Sequence, residues 1–160
     1  MRRIVKEPAQ LDEIDRRLLR ALQADAGVSQ AALAEQVGAS PASVWRRVRS
    51  LEDAGVLKGA VRLVDPEKVG RGVAVICQVR MRSHAPDERA AFEAFVTAHE
   101  EIAECFAMSG EWDYLMRVAV RDVADYERFL MRELLRHPAV ATAASHFALA
   151  QVKMTTALPV

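Results

Sequence analysis

Arginines able to grip nucleic-acid phosphates or base edges cluster in one short stretch of this 160-residue chain. Arg46, Arg47 and Arg49 follow Ser40-Pro41, and across residues 40–62 Lys58 and Arg62 join them against only Glu52 and Asp53. A guanidinium pairs bidentately with a phosphate or with the acceptor edge of guanine, so a local basic surface matters more than the global sum. The net charge is zero but unevenly spread. Residues 1–65 hold 11 Lys and Arg against 9 Asp and Glu, whereas residues 66–160 hold 11 against 13. The same arginines would also suit the solvated face of an ordinary helix.

Other chemistry is thinly represented. Cys77 and Cys105 sit in apolar, strand-like segments and read as small buried hydrophobes rather than a disulfide or metal pair. His84, His99, His137 and His146 are scattered without metal-ligand spacing. No nucleophile–base pair or phosphate loop is visible, so neither a metal nor a cofactor is expected, and the chain is not expected to be an enzyme. No apolar run approaches the roughly 20 residues needed to span a bilayer, and the charged N-terminus lacks the apolar stretch of a signal peptide. A soluble cytoplasmic protein with no membrane partner is expected.

The elements that must position the arginines can be read from helix start and stop signals. Asp12 caps a first helix bearing Ile14, Leu18 and Leu22, with Glu13 and Asp15 in its first turn, where the helix dipole favours negative charge. Ser29 caps a short second helix with Leu33 and Val37 inward, and Gly38 ends it. Ser40 followed by Pro41 starts a third helix whose stripe is Val44, Val48 and Leu51. Two helices joined by a tight glycine-containing turn predict a helix-turn-helix. At 100° per residue, Ala42, Arg46 and Arg49 face away from the seam, flanked by Ser43, Trp45 and Ser50. Arg46 and Arg49 are placed for a DNA groove or its rim, and Arg47, nearer the seam edge, for a backbone phosphate. Ser40 and the helix N-terminus offer a further phosphate site. Residues 56–64 read as an extended arm or wing.

From residue 71 the period changes to two. Val73, Val75, Cys77, Val79 and Met81 predict a strand, and Pro86-Asp87 opens a helix with Phe92, Phe95 and Val96. Ile102, Glu104, Phe106 and Met108 alternate in a second strand, and Tyr114, Met116, Val118 and Val120 mark a third. Asp122 caps a helix carrying Tyr126, Phe129, Leu130 and Leu134, and residues 140–152 form the last strand. The fold class is therefore α+β: a winged helix-turn-helix followed by a ferredoxin-like βαββαβ domain. The expected divisions are 1–62 for the first domain, with a flexible arm over 1–10, a linker at 63–70, and 71–160 for the second. Helices cover one sheet face only, so the other is expected to pair with a second copy.

Five stretches, L-D-E-I-D-R-R-L-L from Leu11, V-G-A-S-P-A-S-V from Val37, R-V-R-S-L-E-D-A-G-V-L-K-G from Arg47, S-G-E-W-D-Y-L from Ser109 and L-L-R-H-P-A-V from Leu134, resemble the Lrp/AsnC family in its order and spacing. The resemblance implies a nucleoid-associated regulator that binds double-stranded DNA and responds to an amino acid. It also implies dimers built on the sheets and commonly assembled into octamers. The family's effector loop matches Ser109, Gly110, Glu111, Trp112, Asp113 and Tyr114, with Glu111 in place of the usual aspartate and Trp112 bulkier than the common Phe or Tyr. On that reading, N–H groups around Gly110 receive a carboxylate, Asp113 or Glu111 pairs with an ammonium, and Trp112 covers an apolar side chain. The plainer alternative is that Gly110 permits a hairpin, Asp113 caps it and Trp112 packs on a neighbour. Two rival functions are an architectural DNA-binding protein without effector, disfavoured by zero net charge, and a siroheme-decarboxylase-like enzyme. The latter would need His and Arg on one face of a cavity, which Arg62, Arg71, Arg80, Arg82 and His84 do not share.

Overall fold

A computed structural model describes residues 9–160. Nearly all of the expected N-terminal arm, residues 1–8 of 1–10, lies outside that range. The chain divides into two compact units, one running to Arg62 and completed by Lys153–Val160, the other spanning Leu63–Val152.

The first unit holds three helices, α1 (Glu13–Ala24), α2 (Gln30–Val37) and α3 (Pro41–Asp53). The Asp12 carboxylate accepts the Asp15 N–H and the Asp15 carboxylate accepts the Asp12 N–H, a reciprocal cap satisfying two donors that the first turn leaves free. Ser29 and Ser40 cap the next two helices through the N–H groups of Ala32 and Ser43. Gly38 closes α2 at φ 68°, where a side chain would be strained. Leu18, Leu33, Ala34, Val37 and Val44 form the buried centre, so the seam between α2 and α3 holds the expected residues. Residues 58–65 are exposed and, among the described residues, pair with no strand.

The second unit is a four-stranded antiparallel sheet with strand order β2-β3-β1-β4. Its strands are β1 (Val73–Met81), β2 (Ile102–Ala107), β3 (Tyr114–Val120) and β4 (Val140–Phe147). α4 (Pro86–Ala98) and α5 (Val123–Phe129), the latter continued by a π-helical turn over Leu130–Leu134, supply the helical layer. Val75, Cys77, Val79, Tyr114, Met116, Val118 and Val120 point into the core, and Phe92 of α4 is fully buried among them. The opposite face carries Ile76, Leu115 and Phe106, the last about half exposed.

Three expectations need correction. Strict alternation in β2 placed Phe106 and Met108 with Ile102 on one face, but Ile102 pairs with Val118 and Glu104 with Arg117, so Ala103 is a bulged extra residue. Beyond the bulge the faces exchange. Cys105 packs on the core with Ile102, while Phe106 turns outward. β4 ends at Phe147, not at residue 152, because β1 begins at Val73 and offers no further partner after the Ala148 N–H bonds the Ala74 carbonyl. Finally, residues 153–160 extend past the sheet and group in space with the helical unit: the Gln23 amide donates to the Leu158 carbonyl and accepts the Leu158 N–H, and Arg20 donates to the Val160 carbonyl.

Phe92 stacks obliquely on Tyr114 at 4.8 Å between ring centres and meets Phe95 and His137 on its other sides. Truncating Phe92→Ala is expected to cost roughly 3–5 kcal/mol of stability in urea unfolding of the full chain. A loss below about 1 kcal/mol would mean that α4 is not packed on the sheet as described.

Candidate functional site

On α3 the rear of the helix is fixed by Val44, fully buried, and Leu51. Ala42, Trp45, Arg46 and Arg49 are all exposed and recur at helical spacing, so they form one continuous outward stripe. Arg49 makes only a long 3.4 Å contact to Glu52 one turn on. Ser43 is half-buried, and its N–H is taken by the Ser40 hydroxyl at 3.3 Å. Ser40 thus acts as a cap at the helix end where a phosphate was expected.

Arg47 is placed differently from its neighbours. Its Nη1 donates at 2.7 Å to both Asp12 and Asp15, the same pair that caps α1. The guanidinium is therefore a clamp between α3 and the N-terminus of α1. Asp12 is held below the ordinary carboxylate range, first by the Asp15 N–H and then by Arg47, while Arg47 is held more firmly protonated by the two carboxylates. Sequence spacing alone could not reveal this, because the partners lie more than 30 positions away.

The second candidate region, Ser109–Tyr114, joins β2 to β3. The Met108 N–H donates to the Asp113 carbonyl at 2.8 Å, closing the loop, and Gly110 sits at φ 114°, a conformation glycine alone adopts cheaply. Asp113 is a structural tie: its N–H donates to the Val79 carbonyl at 2.9 Å, and its carboxylate accepts the Met81 N–H at 2.7 Å. Its other oxygen lies 3.4 Å from His84 Nδ1. Glu111 accepts from Arg80 at 2.6 Å, and the same guanidinium lies 5.2 Å from the centre of the Trp112 ring. The loop acids expected to meet an ammonium are thus both engaged by protein groups, and Trp112 is covered by a cation. Ser109, Gly110 and Glu111 are exposed, whereas Tyr114 is buried and donates its phenol hydrogen to Glu93 at 3.1 Å.

That last contact brings in residues missed by sequence reasoning. Arg89 lines a small recess with Tyr114, and burial foremost pushes the phenol's pKa up. Arg89 and Glu93 stand one helical turn apart on α4, and that i, i+4 spacing was the signal available. Cys105 is half-buried beside them, and burial raises its thiol pKa to about 11. Among the described residues no group of three or more metal-ligating side chains comes together, and no helix is long and apolar enough to cross a membrane.

The sequence of residues 11–58 matches the winged helix-turn-helix DNA-binding family, and residues 74–158 match the Lrp/AsnC ligand-binding domain. These define a DNA-binding transcription regulator with a ligand-binding domain. The DNA-binding transcriptional activator DecR of Escherichia coli strain K12 is 41% identical over 150 residues, covering 94% of this chain and 99% of that protein. The glutamate uptake regulatory protein of Zymomonas mobilis is 34% identical, with 93% and 90% covered. A Neisseria meningitidis transcriptional regulator solved with L-methionine superposes with a TM-score of 0.90 at 37% identity, covering 94% and 97% of the two chains. This chain belongs to the Lrp/AsnC family of transcriptional regulators. Its relatives are regulators, not enzymes, and the decarboxylase alternative falls on that ground.

Two outcomes are expected. Arg47→Ala should lower the thermal midpoint and return the Asp12 titration, followed by NMR, towards the ordinary carboxylate value. Because the folded pKa of Asp12 is depressed, its contribution is present above the ordinary range and lost as pH falls through the depressed value. An unchanged Asp12 titration would remove the clamp. Asp113→Ala should loosen the loop, seen as faster hydrogen exchange at the Met81 amide by about 10-fold or more, following loss of a charge-assisted bond. Unchanged exchange there would show that the carboxylate does not hold the loop to β1.

Proposed function

We propose that the outward stripe of α3 enters the major groove of specific double-stranded DNA and that binding of an amino acid by the second unit changes the assembly or its DNA affinity. The observation carrying the first half is the contiguous exposure of Ala42, Trp45, Arg46 and Arg49 on a helix whose back is locked into the seam. Small Ala42 near the start of the helix allows close approach, and the two arginines follow where base edges or groove-lining phosphates are reached. Ser40 and Ser43 belong to the capped N-terminus, whose remaining N–H groups suit a phosphate. Arg47 contributes by holding the helix rather than by touching DNA.

The second half rests on the ligand-binding domain and on the relative solved with L-methionine. The Ser109–Tyr114 loop is the sensing region on this reading. Gly110 and the exposed edge of the loop remain free to meet a ligand or a neighbouring dimer, even though Asp113 and Glu111 are tied down. Dimers form across the open sheet face, where Ile76, Leu115 and Phe106 are uncovered, and stack further into the octamer common in the family. The regulator works in the cytoplasm, on the nucleoid.

Fluorescence anisotropy on DNA from upstream of its own gene, with fragments selected genome-wide if that DNA fails, tests this directly. Arg46→Ala and Arg49→Ala should each cost about 1–3 kcal/mol of specific affinity, roughly 5- to 150-fold, and relax sequence preference. Arg47→Ala should leave the salt dependence of the folded protein unchanged. Wild-type affinity in both the Arg46 and Arg49 variants would mean that another surface reads the DNA.

A further inference from the structure

Trp45 is a large apolar side chain that α3 turns towards solvent. Its apolar neighbours on the helix go inward: Val44 is fully buried, and Val48 packs against the same cluster. Trp45 belongs to neither core and keeps 54% of its surface exposed. The chain's other tryptophan, Trp112, is partly buried beside the Arg80 guanidinium, which lies 5.2 Å from its ring centre. An indole left more than half in water gains little from folding, and its remaining area is buried only when a partner covers it.

Place on the helix defines what that partner presents. α3 starts at Pro41, so Trp45 lies in the N-terminal half, the part that a groove-reading helix inserts. At 100° per residue it stands about 60° to one side of Ala42, with Arg46 about 40° to the other and Arg49 between them about one turn on. The stripe thus carries guanidinium donors along its middle and one flank, and a flat apolar ring on the opposite flank. Arg46 and Arg49 suit acceptors, the O6 and N7 of guanine or a phosphate oxygen. An indole offers a single N–H donor and no charge, so its main contribution is area. Stacking is closed to it on an intact duplex, because the major groove presents base edges rather than base faces. On those edges the apolar group is the 5-methyl of thymine.

We infer that Trp45 is a specificity-determining residue whose indole packs against the 5-methyl group of a thymine in the bound site. The inference rests on the groove reading of α3 and adds to it one base group and the residue that meets it. Arginine paired with guanine selects G·C at its own step. A methyl contact selects thymine at a neighbouring step and fixes which strand carries it. This is sequence information that phosphate contacts do not supply.

The test uses the full chain and a specifically bound fragment, with each thymine replaced in turn by deoxyuridine. That exchange removes one methyl group and leaves the hydrogen-bonding edges of the base unchanged. In anisotropy titrations the wild type should lose about 3- to 10-fold in affinity at one thymine contacted by α3, the scale of burying a single methyl group. Trp45→Ala should bind thymine and uracil DNA equally at that position. Trp45→Phe, which keeps a flat apolar ring, should retain part of the discrimination, and Arg46→Ala should retain it while binding both DNAs more weakly. In a readout that needs no variant to fold, 5-iodouracil at the same position should photocrosslink to Trp45 of the wild-type chain, located by peptide mass spectrometry. A wild type indifferent to every deoxyuridine, an equal penalty in Trp45→Ala, or a crosslink to another residue would overturn the assignment. Specific binding that still depends on Arg46 and Arg49 would then leave the groove reading in place. If no fragment is bound specifically, both fall.

Discussion

A four-stranded sheet with helices on one side only is the constraint from which most of the second unit follows. Every strand must send alternate residues towards α4 and α5, and β1 and β3 do so with Val75, Cys77, Val79, Tyr114, Met116, Val118 and Val120. β2 meets the same demand only by inserting Ala103 as a bulge, which brings Cys105 inward and throws Phe106 outward. The outward set then leaves Ile76, Leu115 and Phe106 without cover, alongside an Arg117–Glu104 ion pair at 3.3 Å. A surface of that composition gains roughly 25 cal/mol per Å² of apolar area when a second sheet covers it. The same one-sidedness places α4 along β2, where Glu93 accepts the Tyr114 phenol hydrogen beside Cys105.

Sequence made the local decisions legible. Asp12, Ser29, Ser40-Pro41 and Asp122 each start a helix where a capping side chain binds the N–H three residues on, a rule that involves only neighbours in the chain. The identity and order of the strands were equally readable, and the outward stripe of α3 followed from helical geometry. What escaped was decided at a distance. The β2 bulge depends on the register against β3, the length of β4 on where β1 begins, and the destination of the last eight residues on the Gln23 amide. Arg47 lies in a run with Arg46 and Arg49 that looks uniform in sequence; only the approach of the α1 cap distinguishes it.

The two candidate sites share one feature: charged side chains that look alike in sequence are divided between holding the fold and facing solvent. On α3, Arg47 pairs with Asp12 and Asp15, while Arg46 is exposed and Arg49 meets only Glu52 at 3.4 Å among the described residues. In the loop between β2 and β3, Asp113 accepts the Met81 N–H and Glu111 accepts from Arg80. The same division is visible within the loop. Its aspartate holds the loop in position, and the departures at Glu111 and Trp112 are met by Arg80, which bonds one and covers the other. A change from aspartate to the longer glutamate lets the carboxylate reach across to β1, and a larger ring gives the same guanidinium a face to rest on. Glu111 and Trp112 are therefore coupled through Arg80.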